Sequence, residues 1–191
     1  MSYMKTLRRT VLGVAASFAF AGIAFAQSTI LVVDQGRVIR ESSVGKHIAA
    51  QIESIGKSME SELKASASPI ESERDRLMTE LKSMDASALK SRPDLQKRAQ
   101  DLVQKGQKTQ VEAAYKQREL QVTEAKAMKQ VNESLATILE SIVAERNADV
   151  ILDRSLVIYG GKSTDITETV ISRLNSKIRT VSVVRERLPR K

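Results

Sequence analysis

Apolar residues spaced three and four positions apart form the longest regular pattern in the sequence, within residues 43–146. In the first part of this stretch they are Ile48, Ile52, Ile55, Met59, Leu63, Ile70, Leu77 and Met84, with Leu81 at an intermediate position. This spacing places the side chains on one face of a helix and is typical of a coiled-coil seam. The pattern predicts a long helix, which Pro69 bends or loosens without ending because proline lacks an amide hydrogen.

The periodicity stops in a polar segment and then returns, which predicts a second helix. Its apolar residues are Leu95, Ala99 and Leu102, followed by a weaker stretch and then by Met128, Val131, Leu135, Ile138 and Ile142. The two stripes can face each other in an antiparallel helical hairpin over residues 43–146, with its tip near residues 85–94. At about 1.5 Å per residue each helix would reach roughly 60–75 Å, so the hairpin must project from the rest of the chain. Gly56, Pro69 and Gly106 lie inside these helices and are expected to be flexible points.

The segments on both sides of the hairpin carry the β-branched, apolar runs that are typical of strands. Residues 29–33 predict a first strand, and Asp34 then caps a short helical turn. Residues 149–152 and 156–159, joined by a turn at residues 153–155, predict a β-hairpin. After two glycines, Thr164 or Asp165 caps a short helix whose apolar face consists of Ile166, Val170, Ile171 and Leu174.

These segments predict a small β-rich body, made of residues 27–42 and 147–191, from which the hairpin projects. The fold class is therefore α+β and predominantly α. Because so few residues bury only a small core, we expect sheets from several subunits to join. The body residues expected to support this oligomerisation are Ile30, Val32, Ile151, Val157 and Ile158.

The N-terminus has the layout of a secretory signal peptide over residues 1–26. Lys5, Arg8 and Arg9 precede an apolar run of about fifteen residues, which is shorter than the roughly 20 that a membrane-spanning helix needs. The run ends in an Ala-x-Ala motif, whose small side chains signal peptidase accepts. We expect export and cleavage after Ala26, with a retained signal anchor as the alternative.

Composition excludes several kinds of functional site. The chain has no cysteine, which rules out disulfides, thiolate metal sites and thiol catalysis. It has no tryptophan and only 3% aromatic residues, which argues against an aromatic-lined ligand pocket. His47 is the only histidine, so it cannot complete a zinc site with a second one, and it is expected on a helix surface.

The glycine-rich segment at residues 160–164 invites comparison with a phosphate-binding loop. It reads Gly-Gly-Lys-Ser-Thr and lies between a predicted strand and a predicted helix. A Walker loop also needs a glycine where this sequence has Leu156, inside the apolar strand, so we interpret the segment as a turn and a helix cap. No catalytic residue, cofactor or metal site is predicted, and the chain is not expected to be an enzyme.

Basic residues cluster at the predicted tip, where seven of them stand against three acidic residues between Lys82 and Lys108. The candidates for contact with anionic lipid, lipopolysaccharide or acidic segments of a bound chain are Lys82, Lys90, Arg92, Lys97 and Arg98. The alternative is a tip whose charge only keeps it soluble. Removal of Lys5, Arg8 and Arg9 with the signal peptide takes the formal charge from +8 to +5. This charge would also suit nucleic acid, but no aromatic residues interleave to stack on bases, and nucleic acid is not expected as a partner.

Three groups of residues stand in a characteristic order and separation along the chain. They are Ile30 to Asp34 with Arg37-Val38, Glu41-Ser42 and Gly45-Lys46; Ala148 to Asp153; and Asp165 to Thr167 with Val170-Ile171 and Leu174-Asn175. In these residues the sequence resembles the Skp/OmpH family of periplasmic chaperones. The basic segment from Ser176 to Lys191 extends beyond the usual end of the family pattern, and its role stays open.

The resemblance implies a homotrimer whose helical arms surround a cavity in the periplasm. It also implies that the arms hold unfolded outer-membrane β-barrel proteins without ATP and prevent their aggregation before membrane insertion. Met59, Met78, Met84 and Met128 are adaptable enough to contact varied clients, although packing in the helical seam would also explain them. A non-chaperone structural or adaptor protein of the cell envelope is the alternative function.

Overall fold

The computed structural model describes residues 28–190, which form two β-strands, five α-helices and one 3₁₀ turn. The elements are β1 (Ile30–Val33), α1 (Gln35–Glu41), α2 (Ser43–Lys82), α3 (Ala86–Lys90), α4 (Pro93–Arg146), β2 (Val150–Asp153), the 3₁₀ turn (Arg154–Leu156) and α5 (Thr167–Lys177). The predicted α+β, predominantly helical fold class is confirmed. The predicted signal peptide and its cleavage position lie outside the described residues. Within residues 28–190, no helix combines the length and the apolar character that crossing a membrane requires.

Helices α2 and α4, with 40 and 54 residues, pack against each other in opposite directions. Facing residues mark this antiparallel course, since Glu62 pairs with Lys116 and Glu73 pairs with Arg98. Helix α2 continues through Pro69, as the apolar spacing predicts. The short helix α3 and the residues beside it connect the two long helices where the sequence predicts the tip. We call α2 and α4 together the helical pair.

Strand β1 lies at the centre of the small sheet. It pairs in parallel with β2, with Ile30 opposite Val150. On its other side, the Val32 N–H donates to the Thr164 carbonyl at 2.8 Å and the Ile166 N–H donates to the Val32 carbonyl at 2.9 Å. Parallel strands need a long crossover connection, and here the helical pair provides it.

The predicted β-hairpin at residues 149–159 is wrong. Strand β2 ends at Asp153, whose carboxylate accepts a hydrogen bond from the Ser155 N–H at 2.9 Å and caps the 3₁₀ turn. Residues 157–159 then continue without strand pairing. The apolar pattern correctly marks β2 as a strand but does not specify its partner, and β1 takes that place because it is itself a short, buried apolar strand.

Polar side chains determine where the helices around the sheet begin and end. The Asp34 carboxylate accepts a hydrogen bond from the Arg37 N–H at 2.7 Å and caps α1. The buried Ser42 hydroxyl accepts from the Gly45 N–H at 3.1 Å and caps α2. Asn147 ends α4 with a φ of 48°, a left-handed conformation that asparagine tolerates better than most residues. These contacts satisfy backbone groups that helix ends leave unpaired.

One hydrophobic core joins the sheet, α1, α5 and the adjoining ends of the helical pair. Its buried residues are Leu31, Val33, Val38, Val44, Ile48, Ala127, Val131, Leu135, Ile138, Ile142, Ile166, Val170, Ile171, Leu174 and Val181. Burying a valine, leucine or isoleucine side chain contributes about 1.5–3 kcal/mol, so these residues anchor the base of the helical pair. The residues that carry the family resemblance are the strands, helix caps and core positions of this region.

The C-terminal segment has no regular secondary structure, but it is not detached from the fold. Residues 178–190, which we call the tail, follow α5 and run along the helical pair. Val181 is buried in the core, and its carbonyl lies 3.1 Å from Nε2 of His47. His47 is therefore half-buried against the tail, which corrects the prediction of a helix-surface residue.

Candidate functional site

The helical pair exposes apolar side chains beyond the hydrophobic core. The strongly exposed ones are Met78, Val103, Val111 and Val122, at 52, 60, 56 and 38% of their full surface. Among the predicted client-contact methionines, only Met78 belongs to this group. Met59 is buried in the seam, and Met84 and Met128 are half-buried, with Met128 packed against the core. Packing therefore accounts for Met59 and Met128, while Met78 is open to a partner.

Arginines at the tip are held by carboxylates. Arg92 pairs with Glu80 at 2.8 Å and with Asp94 at 2.7 Å, and Arg98 pairs with Glu80 and with Glu73, each at 2.7 Å. The Arg98 and Arg92 guanidinium groups lower the pKa of Glu80 below its usual range. These arginines join the ends of α2 and α4 through carboxylates of the protein itself, which compete with an external anion for the same guanidinium groups.

The predicted tip lysines have different surroundings from the arginines. Lys82, Lys90 and Lys97 are exposed on three successive helices around the tip. Their positive charge is therefore accessible to solvent and to an approaching anionic surface.

The body carries a second exposed apolar surface, directly after β2. Leu156, Ile158 and Tyr159 are 74, 102 and 88% exposed, and we call them the apolar strip. Among the predicted oligomerisation residues, Ile30 is 45% exposed and Val32 is buried, while Ile151 and Val157 are half-buried. The predicted set therefore divides into residues that fill the core of this chain and residues, above all Ile158, that contact little of it.

The glycine-rich segment forms a local turn. The Thr164 N–H donates to the Gly161 carbonyl at 3.1 Å, and the Thr164 hydroxyl donates to the same carbonyl at 2.8 Å. The N-cap of α5 is Ile166, which has no side-chain cap, so the predicted cap at Thr164 or Asp165 is wrong. Asp165 stands one residue earlier, and its carboxylate accepts from the Thr167 N–H at 2.9 Å. Among residues 28–190, no three histidine, cysteine, aspartate or glutamate side chains cluster closely enough to hold a metal ion.

The tail covers a group of buried polar residues on the helical pair. Lys116, Glu119 and Thr123 of α4 are only 4, 1 and 1% exposed, and we call them the polar stripe. The Arg185 guanidinium bridges two carboxylates from different helices, Glu62 at 2.8 Å and Glu119 at 3.2 Å. A tail side chain thus enters between α2 and α4 at the level of the polar stripe.

The tail backbone is bound as well as its side chains. The Glu186 N–H donates to the Thr123 hydroxyl at 3.0 Å, and the Leu188 N–H donates to Oε1 of Glu119 at 3.2 Å. Thr123 can accept this bond because its own hydroxyl hydrogen goes to the Glu119 carbonyl at 2.7 Å. The polar stripe therefore contacts an extended chain partly through groups that every residue except proline has.

Four more ion pairs lie beside these contacts. Glu186 of the tail pairs with Lys126 at 2.6 Å, and Arg190 pairs with Glu112 at 3.6 Å. The buried Lys116 ammonium group contacts both Glu62 and Glu112. Positive and negative groups alternate along the contact, so no buried charge faces only its own sign.

Charge pairing perturbs the carboxyl groups under the tail. Lys116 and Arg185 lower the pKa of Glu62 to about 2. Burial alone would raise the pKa of Glu119, but the Leu188 N–H and the Arg185 guanidinium outweigh it and place this pKa below its usual range. Both carboxyl groups are therefore ionised at neutral pH, and the docked tail stabilises that charged form.

The polar stripe is not among the candidate sites predicted from the sequence, although the spacing of its residues indicates a buried helix face. Its residues continue the core spacing of α4 without a break, since buried positions recur at 116, 119, 123, 127, 131, 135, 138 and 142. They fall in the stretch where the apolar pattern weakens. Polar side chains on a buried face need polar partners, so this interruption indicates that another segment covers it. Only the fold identifies that segment as the tail.

Two long antiparallel helices that project from a small core of short strands and helices define an α+β, predominantly helical protein. The chain belongs to the outer membrane protein (OmpH-like) family, which it matches over residues 29–174. OmpH-like outer membrane chaperones are periplasmic and are not known as enzymes, so family membership supports a chaperone role in general.

A solved structure is similar to this chain over nearly its whole length. It is that of a candidate outer membrane chaperone (OmpH-like) from Caulobacter crescentus CB15, with 26% sequence identity and a TM-score of 0.70. The similarity covers 85% of this chain and 93% of the Caulobacter chain. No curated protein matches the sequence.

Proposed function

We propose that this protein is an ATP-independent holdase chaperone of the periplasm. It binds unfolded outer-membrane β-barrel proteins between helical arms and prevents their aggregation before membrane insertion. The observation that carries the proposal is the helical pair, which extends from a small core and exposes separate apolar side chains at Met78, Val103, Val111 and Val122. Family membership supports the same function.

This arrangement suits a client that must stay unfolded. Each exposed apolar side chain on the helical pair contributes a weak contact, and polar residues separate one contact from the next. Many weak contacts hold a flexible chain by avidity without imposing one conformation on it. Each of these contacts forms and breaks quickly. The client can therefore leave the chaperone for the membrane, where it folds, without nucleotide hydrolysis.

A homotrimer would place several helical pairs around one cavity. The apolar strip supports assembly, because strongly exposed leucine, isoleucine and tyrosine side chains so close together are typical of an interface. Residues 157–159 also belong to no strand of this chain, which leaves this segment available to join the sheet of another subunit. Assembly through the body would leave the helical pairs free to surround a client.

The direct test is refolding of a urea-unfolded outer-membrane β-barrel by dilution, with and without the purified mature protein. Light scattering follows aggregation, and size-exclusion chromatography with mass detection reports the complex. We expect suppression of aggregation and a soluble complex of about one client per trimer. An intact assembly that leaves aggregation unchanged would contradict the holdase proposal.

A variant of the helical pair tests where the client binds. Met78→Gln, Val103→Thr and Val111→Thr together should weaken suppression of aggregation, because they remove exposed apolar surface without opening a cavity. The matched control exchanges three exposed polar residues of the same helices, Gln51→Ala, Gln100→Ala and Gln110→Ala. Equal loss of activity in both variants would exclude these apolar contacts as the client surface.

A structural spacer or adaptor of the cell envelope is the second candidate function, favoured by the carboxylate-locked tip. Such a protein would bind one folded envelope partner saturably and would not suppress aggregation of several unfolded proteins. Testing two unrelated unfolded clients beside the β-barrel separates the two functions.

Anionic lipid or lipopolysaccharide is a further partner that we propose for the exposed tip lysines. Lys82→Gln, Lys90→Gln and Lys97→Gln together should reduce binding to vesicles rich in phosphatidylglycerol, and added salt should reduce it too. The control removes three exposed lysines distant from the tip, Lys46, Lys64 and Lys129. If both variants lose binding equally, net charge rather than the tip explains the interaction.

Periplasmic location implies that residues 1–26 are removed on export. N-terminal sequencing of the protein recovered from a periplasmic extract should begin at Gln27. Recovery of the full-length chain in the membrane fraction would instead indicate a retained signal anchor.

A further inference from the structure

The tail lies in a groove between α2 and α4 and outside the family match, which ends at residue 174. Its first part is fixed by apolar packing, since Val181 is buried and Val183 packs against the core. From Arg185 onward its contacts with the helical pair are mainly polar: one guanidinium between two carboxylates, two backbone N–H bonds and two flanking ion pairs. The outer part can therefore exchange with solvent without exposing the core.

The chemistry of the groove is that of a peptide site. Glu119 is 1% exposed, and its two carboxylate oxygens bind a backbone N–H and a guanidinium of the tail. Thr123 binds a second backbone N–H two residues earlier, which matches the repeat of an extended chain. Backbone donors are common to all extended segments, and the paired carboxylates of Glu62 and Glu119 add a preference for arginine.

We propose that this groove is a binding site for extended, arginine-bearing segments of unfolded chains, and that the tail is its intramolecular ligand. The inference rests on the proposed holdase function, to which it adds a defined subsite and a regulation. Tethering gives the tail a high effective concentration at the groove, so a single weakly bound segment does not displace it. A client held at the same time by the apolar side chains of the helical pair can displace the tail and gain the groove as a further contact.

The test uses the full chain and a fluorescent peptide with the sequence of residues 183–191. Arg185→Ala with Arg190→Ala loosens the tail of the protein while leaving Val181 and Val183 in place. We expect the peptide to bind this variant at least about tenfold more tightly than it binds the wild-type protein, whose own tail competes. Equal affinity for both proteins, or no binding to either, would overturn the proposal.

Substitutions in the groove distinguish the site from general charge attraction. In the loosened variant, Glu119→Gln should weaken peptide binding by about tenfold, because it removes a charge-assisted hydrogen bond. Thr123→Val is a second, nearly isosteric variant, which removes the acceptor for a backbone N–H of the tail together with the hydroxyl's own hydrogen bond to the Glu119 carbonyl. Both must keep the thermal unfolding midpoint of their parent. Unchanged peptide affinity in Thr123→Val and in Glu119→Gln would show that the peptide binds elsewhere.

Peptide binding and chaperone activity are measured separately, so the two proposals can fail separately. If the protein binds the peptide but does not suppress aggregation, the groove proposal is supported and the holdase proposal is contradicted. If the protein does not bind the peptide and suppresses aggregation equally well with a free or a docked tail, the groove proposal is contradicted. The holdase proposal is then still supported.

Discussion

Two glycines of the helical pair, Gly45 and Gly106, have opposite surroundings. A Cβ atom on Gly45 would lie 1.7 Å from the Ile39 carbonyl oxygen, because α1 and α2 meet there at close range. A Cβ atom on Gly106 would meet no atom within 4 Å. Gly45 is therefore required by packing, whereas Gly106 only lowers the helical stability of α4.

We expect Gly45→Ala to lower the free energy of unfolding by about 1–3 kcal/mol, because the backbone of α1 must shift to admit the methyl group. Gly106→Ala should raise it by about 0.5–1 kcal/mol through helix propensity. Urea unfolding followed by circular dichroism measures both. A Gly45→Ala protein as stable as the wild type would mean that the junction of α1 and α2 is looser than its geometry indicates.

At the scale of elements, the tail and the helical pair are coupled by ionised carboxyl groups. The pKa of Glu62 is about 2 with the tail docked, against a usual value near 4.5. Lys116 of α4 is the largest cause of this lowering and does not depend on the tail, whereas Arg185 adds the part that docking contributes. That part stabilises the docked state at neutral pH and is lost as the pH falls toward about 2. Glu119 acts in the same direction, and Lys116 and Arg185 supply the opposing positive charge.

Tail docking should therefore be constant from neutral pH down to about 5 and weaken between about pH 5 and 2. Spin labels on Arg187→Cys and Gln121→Cys report the distance between the tail and α4, and the absence of native cysteine makes the labelling specific. In Glu62→Gln the change should be smaller, since this group no longer titrates. A tail that detaches with equal pH dependence in both proteins would exclude Glu62 as the cause.

Pro69 is the second feature at the element scale. It lies inside the continuous helix α2, where it cannot donate the hydrogen bond that the helix requires. Pro69→Ala should raise the free energy of unfolding by about 1–3 kcal/mol, while Pro93→Ala, at the first position of α4, should have little effect.

Pro69→Ala combined with Gly56→Ala and Gly106→Ala tests the flexible points predicted from the sequence. If Gly56, Pro69 and Gly106 let the helical pair bend, replacing all three by alanine should narrow the distribution of distances between spin-labelled tips of neighbouring subunits. Equal distributions in the variant and the wild type would contradict the prediction.

The sequence predicts elements better than it predicts their partners. Apolar spacing identifies α2 and α4 because helical packing is local and periodic, and Asp34 and Ser42 mark helix starts because capping acts within three residues. The pairing of β1 with β2 joins residues 120 positions apart, and two short apolar strands contain nothing that selects one partner over another. The tail shows no helical period, and its contacts depend on where the fold brings Glu62 and Glu119.

At the scale of the whole molecule, the apolar strip makes assembly testable by one substitution. Ile158 is fully exposed in the single chain, so Ile158→Glu should leave its fold intact and place a charge in the proposed trimer contact. We expect the mass from analytical ultracentrifugation to fall from that of a trimer toward that of a monomer. Val103→Glu, at an exposed position of α4, is the control and should remain assembled. A trimer that tolerates Ile158→Glu would place the subunit contact elsewhere.

The parallel pairing of β1 with β2 allows the length of the helical pair to change while the sheet stays the same. The whole helical pair is inserted between two neighbouring strands: the chain leaves the sheet after Val33 and re-enters it at Val150, which lies opposite Ile30. Adding or removing equal whole heptads beyond Glu62 in α2 and before Glu112 in α4 would keep the seam in phase and leave the strand register and the tail contacts unchanged. The length of the helical pair can therefore be redesigned, for larger or smaller clients, without changing the small core that anchors it.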